Sequence, residues 1–229
     1  LFFAGASTSL AALGALVYSA KQKSFFEFKN EKAYPPLLMV ALFIVIIPYL
    51  LFFIGASKTS GVNTAVLLLS EIIFTTIFTH FIGEKTTMNK IIGASGIFFG
   101  AFLIVYRGVS GINIGDVLIV LSTLSFPIGN FYSKKALNLV SPPTILLFRF
   151  TLSGLFFIFL SILFEGFLWS GDMLNVVSHN IFFILFNGLI ILGIGKIVWY
   201  EALKRLDISK AISLEMTFPL FSLLTLVLF

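Results

Sequence analysis

At 229 residues, 59% of them hydrophobic and only 11% charged, the chain is too apolar for a soluble domain, which needs a charged shell. Its net charge of +5 is no nucleic-acid footprint, because the cations fall in short connectors, and the absence of cysteine excludes disulfides, thiolate nucleophiles and cysteine metal sites. The 29 phenylalanines lie in long apolar runs without the alternation of barrel strands, which predicts an all-α integral membrane protein.

Eight apolar segments follow along the chain, at 1–20, 37–55, 61–82, 91–106, 115–133, 144–164, 181–203 and 208–229. Pro35, Pro36, Gly61, Gly83, Gly108, Gly111, Pro142, Pro143 and Gly171 punctuate the connections, which leave no room for a soluble domain. Lys21, Lys23, Lys29, Lys32, Lys85, Lys90, Lys134, Lys135, Lys204, Arg205 and Lys210 all fall on one side, eleven cations in all. Only Lys58 and Arg107 fall on the other, and Arg149 and Lys196 lie within spans. The lysine-rich side is therefore expected to be cytoplasmic, in a cytoplasmic membrane. A missed span would scramble this alternation, so the asymmetry also supports the span count.

Leu1-Phe-Phe-Ala-Gly-Ala-Ser-Thr-Ser-Leu10 resembles Leu146-Leu-Phe-Arg-Phe-Thr-Leu-Ser-Gly-Leu155 at an offset of 145. Ala56-Ser-Lys-Thr-Ser-Gly-Val-Asn-Thr-Ala65 resembles Ala202-Leu-Lys-Arg-Leu-Asp-Ile-Ser-Lys-Ala211 at 146. Five spans separate equivalent positions, an odd number, so the halves are expected to be inverted relative to each other, as in many secondary transporters. The start at Leu1 and the end at Phe229, inside an apolar run, suit a segment cut at both ends of a ten-span protein. The expected architecture is a multi-pass helical bundle of two inverted five-helix repeats, over 1–110 and 111–229, with eight spans present of ten.

The stretch Ala56-Ser-Lys-Thr-Ser-Gly-Val, the following span, Gly83-Glu84-Lys85, Ile-Ile-Gly93 and Gly100 resemble the EamA-like branch of the drug/metabolite transporter superfamily. The second half repeats the pattern in Tyr200-Glu-Ala-Leu-Lys-Arg-Leu-Asp-Ile-Ser-Lys-Ala211, with Pro219 further on. The resemblance spans the chain and implies ten helices enclosing a cavity that opens to alternate sides. One departure is that Ile73 stands where the family favours a proline.

Glu71 lies about ten residues into its span, roughly 15 Å deep in a core about 30 Å thick. A charge there costs at least about 2.5–3.5 kcal/mol, so it should face a partner, water or substrate. Two readings stay open: a neutral carboxyl hydrogen-bonded to Ser70, Thr75 or Asn130, or a site for proton coupling or a substrate ammonium. Arg149, Lys196 and Glu215 share a layer about 8–10 Å from the lysine-rich surface. They form either a salt-bridged cluster or a gate, and the surplus cation could meet a substrate carboxylate or phosphate. Asn130, in Phe126-Pro-Ile-Gly-Asn130, either lines a cavity beside a carbonyl freed by Pro127 or follows a plain kink. Trp199 and Tyr200 are read as interfacial belt residues, with substrate contact by Trp199 as the alternative. Gly93, Gly96 and Gly100 share a face suited to close helix packing. His80 is expected at the wet interface and His179 in a loop across the membrane, so they build no metal pair. No cofactor is expected.

A carrier of small metabolites leads, with export of amino acids or related solutes implied by the resemblance. An intramembrane enzyme acting on a lipid-soluble substrate is the alternative, although HExxH, GxSxG and phosphate-cradling loops are absent. The expected partners are a small solute, the bilayer and coupling protons, with no nucleic acid, in a monomer or homodimer.

Overall fold

The computed structural model describes residues 1–84, 87–107, 113–165 and 173–215, and these contain helices and connectors but no strand. Six helical stretches among them are long and apolar enough to cross a membrane: Phe2–Lys21, Glu31–Ala56, Gly61–Phe81, Ile114–Leu137, Pro142–Glu165 and Val177–Arg205. The predicted segment 91–106 falls inside a further helix, Met88–Arg107. Of the last predicted segment the structure describes Ile208–Glu215, and Pro219 lies outside the described residues, as do Lys85, Gly108, Gly111 and Gly171.

In chain order the α-helices are α1 (Phe2–Lys21), α2 (Tyr34–Val40), α3 (Ile47–Ala56), α4 (Gly61–Leu68), α5 (Ser70–Phe81), α6 (Met88–Arg107), α7 (Ile114–Leu137), α8 (Pro142–Glu165), α9 (Met173–Leu185), α10 (Lys196–Arg205) and α11 (Ile208–Glu215). They fall into two compact units, Leu1–Ile46 with Tyr132–Lys204, and Ile47–Phe131 with the described residues from Arg205 on.

In the first unit α1 lies along α8. Lipid tails are as apolar as leucine, so helices in a bilayer gain little from hydrophobicity and rely on close backbone packing. The buried face of α1 is accordingly built of small residues: Ala4, Gly5, Ser7, Thr8, Ala11, Ala15 and Ser19. This spacing of three and four puts them on one stripe. Gly5 packs on Ile158, Ser9 on Gly154, and the Thr144 hydroxyl donates to the Ser24 carbonyl at 3.4 Å, so one helix descends as the other climbs. A Cβ at Gly154 would sit 2.7 Å from Ser9 Oγ and 3.2 Å from its backbone nitrogen, so only glycine fits this crossing unchanged. Ser9 and Gly154 are themselves 145 residues apart, the offset found in the sequence.

The same offset recurs in two π-helical stretches of this unit, Ala41–Ile46 and Phe186–Gly195, whose first residues are also 145 apart. α8 packs on the first and α1 on the second. The first ends just before Pro48. A proline offers no N–H to the carbonyl four residues back and its ring crowds that carbonyl, which a wider π turn relieves. The second contains Gly188, Gly193 and Gly195 and no proline.

In the second unit α5 packs on α6 and α11, and the span 61–81 is broken at Leu69. The Ile72 N–H bonds to the Leu69 carbonyl, three residues back rather than four, at 3.1 Å. A proline at 73 would have freed this same carbonyl. The interruption expected from the family pattern is thus present despite Ile73. The small-residue face of α6 differs from expectation. Gly93 and Gly96 are exposed with no described neighbour within 4 Å of an added Cβ, because α6 turns Ala94 inward instead. The Gly100 side chain position lies outside the described residues.

Candidate functional site

Among the described residues, four gatherings of polar groups bear on the site, two in each unit. The first surrounds Arg149 on α8. Its side chain is 1% exposed, and Nη1 donates to the Tyr200 hydroxyl at 3.2 Å. Its guanidinium carbon lies 4.4 Å from the Phe150 ring centre and 5.2 Å from that of Tyr200, and its Nε has no hydrogen-bond partner. The Ser133 hydroxyl, near the end of α7, lies 3.3 Å from the same phenol oxygen. Tyr200 is wholly buried, which corrects the expectation of an interfacial tyrosine. It and Trp199 are neighbours on one helix and project about 100° apart, so one can turn inward while the other stays half-buried. Lys196 places its ammonium 5.5 Å from the Trp199 ring centre.

The second place joins two lysine-rich connectors. Lys23 takes a left-handed conformation (φ 54°) and starts a short 3₁₀ turn, Ser24–Lys29, that carries Glu27. The Glu27 carboxylate accepts from the Ser141 N–H at 2.7 Å, the Ser141 hydroxyl at 2.8 Å and the Thr144 hydroxyl at 2.6 Å. It thereby satisfies the first turn of α8, where unpaired N–H groups favour negative charge. Asn30 Nδ2 adds a bond to the Leu139 carbonyl. The connectors 21–36 and 134–143 therefore share one end of this unit, as the charge pattern requires.

The second unit repeats the device. Gly83, with φ 86°, turns the chain sharply after α5, a conformation that costs a side-chain-bearing residue energy. Glu84 then accepts from the N–H groups of Ile208 and Ser209 at 2.9 and 3.3 Å and from the Ser209 hydroxyl at 3.1 Å. Lys90 donates to the same hydroxyl at 2.5 Å. Here too lysine-bearing connectors are drawn together. In each unit a carboxylate following one helix clasps the first turn of the helix packed against it.

The fourth place is a buried seam between α5 and α7. The Ser70 and Thr123 hydroxyls are 2.7 Å apart and the Phe78 and Phe131 rings meet edge to face at 6.0 Å, so the two helices run parallel. Pro127 lacks the N–H that would bond the Thr123 carbonyl, so the seam is polar at both backbone interruptions. Glu71, 5% exposed, stands in the first turn of α5 just past the break, where helix N–H groups suit a carboxylate. Thr75, one turn on, is buried with no partner for its hydroxyl. By the register of the parallel pair, Asn130 lies about 9 Å further along than Glu71. The Ser70 hydroxyl turns to the Leu67 carbonyl and to Thr123. Glu215 also belongs to this unit, and Arg149, Lys196 and Trp199 to the other.

At the far end of the seam Asn113 and Asp116 bond reciprocally at 3.0 Å, and Asp116 accepts from Thr59 at 2.5 Å. The first two form a capping box at the start of α7, whose spacing was readable in Asn113-Ile-Gly-Asp116. Asp116→Ala should remove two bonds at a buried carboxylate and cost about 2 kcal/mol, measurable as a lower midpoint of thermal unfolding in detergent.

His80 is exposed beside Phe81 on α5, and His179 is exposed on α9. Among the described residues no group of metal-ligating side chains is found. A groove of about 750 Å³ between α5 and α6, lined by Ile73, Thr76, His80 and Phe99, holds none of the predicted site residues.

No solved structure matches the chain. It is 25% identical over 97% of its length to an uncharacterized transporter, YoaV, of Bacillus subtilis (strain 168), covering 76% of that protein. It also matches the EamA-like transporter family over residues 1–106 and 113–229, nearly end to end. The chain belongs to the EamA-like transporter family.

Proposed function

We propose that this membrane protein is a secondary carrier that moves small metabolites across the cytoplasmic membrane by alternating access, with its lysine-rich connectors inside. Amino acids or related organic solutes are the substrate class and export the direction. The observation that carries this reading is the antiparallel crossing of α1 and α8 at residues 145 apart, with the charged Arg149 buried on α8 in the same unit. Two inverted copies can trade conformations and so open to either side. In this scheme the Glu27 and Glu84 clasps close the lysine-rich side and part when it opens.

Full-length protein in sealed vesicles should show saturable uptake and counterflow; product formation without flux would mark an enzyme instead. Glu71 is the proposed coupling group. Glu71→Gln should lose accumulation against a gradient yet keep exchange down it, and accumulation at the wild-type rate would remove Glu71 from the coupling step.

A further inference from the structure

The buried guanidinium of Arg149 has an uneven set of partners. Arginine stays protonated in proteins, so this is a full positive charge removed from water. A buried cation is destabilising unless paired and hydrogen-bonded. Here the contacts are one neutral phenol and two ring faces, with no carboxylate among them. Two aromatic faces offset part of that penalty. They leave Nε without an acceptor.

The unpartnered Nε lies on an edge with a specific chemistry. Tyr200 takes Nη1, the nitrogen on the Cδ side of the guanidinium plane. The opposite edge, Nε with Nη2, is the one that grips a carboxylate with two parallel bonds. The Tyr200 hydroxyl held by Nη1 lies 3.3 Å from the Ser133 hydroxyl, which can supply a further donor at that end of the guanidinium.

We infer that Arg149, Tyr200 and Ser133 form a binding site for the carboxylate of a small organic anion, which the carrier takes up when this end opens. This rests on the carrier reading and narrows its substrate class. One guanidinium balances one negative charge, which favours a carboxylate over a phosphate dianion. Phe150 and the Tyr200 ring supply apolar walls beside the charged edge.

The test uses purified full-length protein and two matched pairs, acetate with acetamide and benzoate with benzamide, plus inorganic phosphate. Thermal unfolding is followed at rising concentrations. The site requires saturable stabilisation by at least one carboxylate and not by its amide. Arg149→Lys should weaken that binding about tenfold to a hundredfold, since lysine lacks the two-donor edge. Tyr200→Phe should weaken it a few-fold while keeping the preference for carboxylate over amide. Equal effects of acid and amide in both pairs would overturn the site, as would stabilisation by phosphate alone. Where Arg149→Lys does not fold, the wild-type pairs and Tyr200→Phe still decide. Counterflow in vesicles loaded with a mixed metabolite extract is run alongside. No flux of any solute removes the carrier reading, whereas flux that neither carboxylate inhibits removes the site and leaves the carrier.

Discussion

Gly154→Leu is expected to abolish recovery of folded protein, the largest effect of any single substitution considered. A Cβ at this position already falls 2.7 Å from Ser9 Oγ and 3.3 Å from Ser9 Cα, and a leucine adds three carbons beyond it. The serine hydroxyl can rotate away, but the α1 backbone cannot, so the helices must separate. Separation also strips the small-residue stripe of α1 of its partner, and no hydrophobic gain in lipid makes up for that loss. Overpacking costs about 1–3 kcal/mol in ordinary cores. Here it should exceed about 3 kcal/mol, because backbone meets backbone. Gly154→Ala should cost about 1 kcal/mol, since the hydroxyl has to rotate away and the Ser9 backbone has to give only slightly. Gly14→Ala, on α1 with open space around it, should not lower stability, since alanine favours the helix. Size-exclusion profiles and thermal midpoints of the three variants check the order, and equal behaviour of Gly154→Leu and Gly14→Ala would refute the crossing.

The second large effect is expected at Glu84. Its carboxylate satisfies two backbone N–H groups and a hydroxyl at the start of α11, an eight-residue described helix. Removing a capping carboxylate costs about 0.5–2 kcal/mol, and the favourable interaction with the helix dipole goes with it. Glu84→Ala should therefore free the first turn of α11 from the end of α5. Because the chain has no cysteine, a single reporter at Ala211→Cys, buried at 2% exposure, reads this directly. Maleimide labelling from the lysine-rich side should rise about tenfold in the Glu84→Ala background, and less in Glu84→Gln, which keeps one acceptor. Unchanged labelling would mean the clasp holds nothing shut.

Composition, hydropathy and the lysine count were enough to predict a helical membrane protein and to group its connectors. They are summed properties, and errors at single residues average out. The offset of 145 read in the sequence is also the separation of Ser9 from Gly154, which meet in the first unit, and of the starts of the two π-helical stretches. What stayed hidden depends on direction rather than content. Trp199 and Tyr200 look alike in sequence, and only the rotation of α10 sends one inward to Arg149. Gly93 and Gly96 have the spacing of a packing face, yet no described helix lies against them. Glu27 and Glu84 could not be recognised as caps, because the helices they serve begin more than a hundred residues later. Local capping rules look only a few positions ahead. The break at Leu69 has no proline or glycine of its own to announce it.

The meeting of Ser9 with Gly154 carries a consequence for how such a chain can change. Were the two halves separate identical polypeptides, one residue would face its own twin there, and every added atom would be felt twice. Only the smallest side chains could be tolerated at that point. Joining the halves covalently lifts this restriction, because each copy can then mutate by itself. In this chain one partner carries no side chain and the other a hydroxymethyl group, so the two sides of the crossing are already unequal.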